Sequence, residues 1–142
     1  LCKLAVELNG NNIKYIKNPS EELCKLAVEL NGNNIKYIKN QTDELCKLAI
    51  EVDANNIGLL YNPSEELCKM AIERDSEVIR LIDDQSEELC ELSVRKYSKN
   101  IRFIKNKTEK LYMLAYELDN TNIQYIDKKY KHLFKQDMCN VM

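Results

Sequence analysis

The chain has 142 residues and a formal net charge of −2, too small an imbalance to draw it to nucleic acid or a membrane by bulk attraction. No apolar run approaches the ~18 residues of a membrane span. One histidine and six cysteines with no close pair among them offer no structural zinc spacing.

The first predicted element opens at Leu1 in LCKLAVELNGNNIKYIKN, and the same letters return from Leu23. Leucine then recurs at 45, 67, 89 and 111, a step of 22 residues without insertion or deletion. Isoleucine keeps the step at 13, 35, 57, 79, 101 and 123, with Ile16, Ile38, Leu60, Ile82, Ile104 and Ile126 three places on. Each unit reads as two helices. The longer starts after Ser20, Thr42, Ser64, Ser86 or Thr108, whose side chains suit an N-cap, and acids such as Glu21 and Glu22 follow at the positive end of the dipole. Leu23, Leu26, Ala27 and Leu30 then give the spacing of a buried helical face. Gly10 and Gly32 fall where left-handed stop residues belong. The shorter helix runs through NNIKYIKN, with Asn12, Asn34 or Asn56 as its expected cap. Pro19 and Pro63 break the unit from the next.

Helices this short are marginal alone, so stability must come from stacking. The expected fold is all-α, an α-solenoid of two-helix repeats over residues 1–126, followed by a capping segment over 127–142 that contains Leu133 and Phe134. The column Ala5, Ala27, Ala49, Ala71, Ser93, Ala115 is always small, which predicts close helix approach. Because the chain begins inside a regular inner-type repeat, the N-terminal face is expected to continue into further repeats or to dock on another subunit. Cysteines one unit apart lie farther from each other than a disulfide spans, so they are expected to be free thiols in a reducing, intracellular compartment. The sequons at Asn40 and Asn106 coincide with capping threonines and carry no weight against that.

No nucleophile with a base, no singular carboxylate pair and no glycine-rich phosphate loop stands out, and His132 reads as a solvated residue. The chain is therefore read as non-enzymatic, with no cofactor, metal or small-molecule ligand. The candidate binding residues are a discontinuous basic stripe on the short helices: Lys14, Lys17, Lys36, Lys39, Arg80, Arg102 and Lys105. The four arginines, all between Arg74 and Arg102, mark units four and five as a candidate patch. Tyr15, Tyr37 and Phe103 share a column with Leu59 and Leu81, which predicts core packing.

The runs ELCKLAVELNGNNIKYIKNPSEELCKLAVE and NQTDELCKLAI resemble short helical-hairpin repeats of mimivirus-like giant DNA viruses. The resemblance covers the array to about Ile126 and implies an intracellular or virion-associated protein, with no activity or site residue to carry over. The expected function is a repeat scaffold for protein–protein interaction or self-assembly, as a virion or virus-factory component. The alternative is a nucleic-acid-binding solenoid that uses the basic stripe and the Lys128–Lys135 tail.

Overall fold

The computed structural model describes residues 1–134. Six α-helices occupy Cys2–Leu8 (α1), Glu21–Leu30 (α2), Asp43–Val52 (α3), Glu65–Arg74 (α4), Glu87–Lys96 (α5) and Glu109–Leu118 (α6). Between and after them run 3-10 helices at Gly10–Tyr15 (η1), Gly32–Tyr37 (η2), Ala54–Leu59 (η3), Ser76–Leu81 (η4), Ser98–Phe103 (η5), Asn120–Tyr125 (η6) and Lys131–Phe134 (η7). The protein is an all-α solenoid: each α-helix packs on the α-helices beside it, on its own 3-10 helix and on that of the preceding unit. No helix among the described residues is long and apolar enough to cross a membrane.

The α-helices start where their caps place them. The side chains of Ser20, Thr42, Ser64, Ser86 and Thr108 each accept a hydrogen bond from the amide three residues on. Within α2 the buried face is Cys24, Ala27 and Val28. Leu23 and Leu26 are only half-buried and Leu30 is exposed, so the predicted leucine face is displaced from the real one. The small column is buried as expected from the second unit on, with Ala27, Ala49, Ala71, Ser93 and Ala115 fully enclosed and Ala5 half-buried. Against it lie the isoleucines of the 3-10 layer, Ile35, Ile57, Ile79 and Ile101.

The second helix of each unit is 3-10, and its cap lies three residues before the expected asparagine. Asn9, Asn31, Asp53, Asp75 and Asp119 accept from the amide two residues on, which turns the chain directly out of one helix into the next. Asn12, Asn34 and Asn56 sit inside the 3-10 turn instead. Their Nδ2 groups donate back to the carbonyls of Ala5, Ala27 and Ala49 at 2.7–2.8 Å, closing the C-terminal ends of the α-helices. Gly10 and Gly32 are not left-handed either, since no described glycine has positive φ. A Cβ on Gly10 would lie 2.6 Å from Asn34 Nδ2, and one on Gly32 would strike Asn56 Nδ2. The glycines are there to let the next unit's asparagine in.

The residues after η6 fold back onto the sixth unit. Phe134 is buried, its ring 4.6 Å from that of Tyr116, and Tyr130 lies 5.4 Å from Tyr112. The rest of the expected capping segment, residues 135–142, lies outside the described residues.

Candidate functional site

The 3-10 helices position the basic stripe. Lys14 and Lys36 lie in η1 and η2, and Lys17 and Lys39 follow in the bends just after each of these helices. The seven predicted residues divide into two groups. Arg80 Nη2 donates to Asn55 Oδ1 at 3.3 Å, Arg102 pairs with Glu77 at 3.6 Å, and Lys105 pairs with Asp83 at 3.0 Å. Arg74 donates to the Glu51 carbonyl at 2.8 Å, and Arg95 lies 4.0 Å from Glu91. Arg95, Arg102 and Lys105 are thus paired with carboxylates, while Arg74 and Arg80 bond to neutral oxygens and have no carboxylate within 4.0 Å among the described residues. Carboxylate pairing also runs along α4 to α6, where Lys69 meets Glu88 at 2.7 Å and Lys110 reaches both Glu87 and Glu91. The Lys110 ammonium beside Glu91 holds that carboxyl below its ordinary pKa.

Lys14, Lys17, Lys36 and Lys39 differ. All four are exposed, and no ion pair within 4.0 Å involves them among the described residues. The aromatic column beside them is split: Leu59 and Phe103 pack against the core as expected, and Tyr15 and Tyr37 do not. Tyr15 is 76% exposed and Tyr37 36%, while Leu59 and Phe103 are half-buried. The ammonium of Lys14 lies 4.7 Å from the Tyr15 ring centroid and 5.9 Å from that of Tyr37, and Lys36 lies 5.0 Å from Tyr37.

Two features escaped the sequence reading. One is a stripe at the C-terminal ends of α1, α2 and α3: Leu8, Leu30 and Val52 occupy one position of the repeat and all lie in water. At that position units four and five carry Arg74 and Lys96. The other is the residue before each capping Ser or Thr. Gln41 donates to the carbonyls of Ile35 and Leu59 and accepts from the Tyr61 amide at 2.8 Å, so it ties unit two to unit three. Gln85 repeats this with Ile79, Phe103 and Lys105, tying unit four to unit five. Pro19 and Pro63 stand at the same position between units one and two and units three and four, where no side-chain amide can make the bridge. Clefts of about 430 and 470 Å³ lie at those two joints.

The described cysteines are free, with Cys2 exposed and Cys24, Cys46, Cys68 and Cys90 buried. Burial pushes the thiols of the last four up, Cys90 to about 11. No cluster of three or more metal-ligating side chains occurs among the described residues. The chain matches no family model, no curated protein and no solved structure.

Proposed function

We propose that this chain is a non-enzymatic repeat scaffold that binds a protein partner, or a second copy of itself, along its α-helical edge. The observation that carries this reading is the solvent-exposed stripe of Leu8, Leu30 and Val52, at 78%, 51% and 47% exposure. Burying a side chain of this kind is worth about 1.5–3 kcal/mol. Leu4, Leu26 and Leu48 lie one helical turn earlier on the same faces, which makes the stripe two residues wide. An amphipathic helix laid across α1 to α3 would meet alternating apolar pairs at the spacing of the units. Exposed Glu7, Glu29 and Glu51 border the stripe and favour a partner with basic residues flanking its apolar face.

The test combines mass in solution against concentration with a screen of amphipathic helical peptides, on the wild type and on Leu30→Glu/Val52→Glu. Self-association or peptide binding that the double variant loses without a change in melting temperature supports the reading. A wild-type chain that stays monomeric and selects no peptide at this edge overturns it. An intracellular setting belongs to the same proposal and is supported by the free, buried cysteines. Placement among giant-virus repeat proteins is supported only by the L-C-x-L-A and N-N-I-x-Y-I runs.

A further inference from the structure

We infer that the cleft between units one and two, with the ridge of η1 and η2 above it, is a binding site for single-stranded nucleic acid. The molecule contains its own control. The clefts at Pro19 and Pro63 are built from the same repeat positions and are nearly equal in volume, about 430 and 470 Å³. In the first, the rim carries Lys14, Lys17, Lys39 and Tyr37; in the second, those positions are Gly58, Tyr61, Asp83 and Leu81. The shape thus follows from the proline joint, and the charge is particular to units one and two. The first cleft has one acid in its wall, Glu21, against three lysines, whereas the second is lined by Asp83 and Asp84 and by no lysine.

Three properties of this place match the ligand. The lysines have no carboxylate partner within 4.0 Å among the described residues, so their charge is available to phosphate oxygens. Two tyrosine rings stand in water next to those ammonium groups, a stacking surface for unpaired bases that duplex nucleic acid could not use. The cleft is of a size that accepts one nucleotide unit, within the ~300–1,000 Å³ of small-ligand sites. An acidic peptide would satisfy the lysines but leave the rings idle. This inference does not rest on the protein-partner reading, because the apolar stripe lies on the α-helices and the lysines on the 3-10 helices and the bends that follow them.

The experiment is fluorescence anisotropy of the full chain with a labelled oligothymidine, with duplex of equal length and with an oligoglutamate peptide. The expected result is binding of the single strand in preference to both controls, with a log–log salt slope of about −2 to −3 for four lysine contacts. Lys14→Gly/Lys17→Tyr/Lys39→Asp installs the second cleft's residues, which this fold already carries, and should abolish binding while the melting temperature holds. Tyr37→Leu should weaken binding roughly tenfold with the salt slope unchanged, and Lys17→Tyr alone should flatten the slope by about 0.7. Leu30→Glu/Val52→Glu should leave oligonucleotide binding intact. No binding at low salt, undiminished binding by the triple variant, or equal binding of duplex or oligoglutamate would each overturn the assignment.

Discussion

Gly32 lacks a methyl group because the amide of Asn56, from the following unit, fills the space where one would be. The neighbouring interfaces show the same bargain in other forms. Gly10 faces Asn34, Ala54 stands opposite Val78, and Ser76 accepts a hydrogen bond from Asn100 Nδ2 at 3.0 Å. Where the first partner gains a methyl, the second either gives up its amide or bonds to the newcomer. Gly32→Ala is therefore expected to destabilise by about 1–3 kcal/mol. In Gly32→Ala/Asn56→Val, the pair native to the Ala54 interface, much of the strain should disappear. A double-mutant cycle from urea unfolding measures this, and strictly additive costs would show that the two positions do not meet. The cysteines give a second test. Cys90 has its thiol pKa raised from an ordinary 9.0 to about 11 in the fold, so the native state keeps a proton that the unfolded state releases first. Its stabilising contribution is complete below pH 9 and should fade as the pH climbs from 9 towards 11. Native protein at neutral pH should offer Cys2 to a thiol reagent while the four buried cysteines react only on unfolding; rapid labelling of Cys90 would contradict its placement.

At the scale of elements, the legible features were the local ones. A hydroxyl followed by two acids marks an α-helix start whatever surrounds it, and the 22-residue step aligned every such start. The 3-10 geometry was not legible, because Ile35 and Ile38 at i and i+3 suit either helix type. In η2 the side chain of Asn31 accepts from the amide of Asn33 at the first residue of the turn, but η5 is 3-10 as well with Tyr97 at that position and no side-chain cap. The exposure of Tyr15 and Tyr37 was hidden for a related reason: a column shared with leucines reads as core, which holds for Leu59 and Phe103 but not for the two tyrosines. The role of Gln41 and Gln85 needs knowledge of which carbonyls face across a joint, and no spacing rule reports that. Gln85→Ala should cost about 1 kcal/mol by leaving the part-buried carbonyls of Ile79 and Phe103 without their partner, while water replaces Gln85 at the exposed Lys105 amide. Hydrogen exchange should speed up in η5 and spare η2; uniform loss of protection would mean that the joint is not a local element. In the α layer, Ala71→Leu places extra volume where the side chain is fully enclosed, with an expected loss of about 1–3 kcal/mol. An unchanged melting temperature would place that column on the surface.

The whole molecule behaves as a line of neighbours, so events at one end need not reach the other. Phe134 is buried against Tyr116 of the sixth unit, and Phe134→Ala should cost about 3 kcal/mol or more, felt by α6 and η6 in hydrogen exchange and not by α2. Equal deprotection of α2 would mean that the array melts as one piece. The alternation of proline and glutamine gives the line a coarser grain than its repeat. Units two and three are clasped by Gln41, and units four and five by Gln85, while the joints at Pro19 and Pro63 have no such clasp. The molecule is thus a jointed ruler whose graduations are two units long. Pulled from its ends, it should lengthen in jumps of about 150 Å, the extended contour of two 22-residue units at roughly 3.5 Å per residue. Single-unit jumps of half that size, or one rupture of the entire chain, would show that the clasps carry no tension.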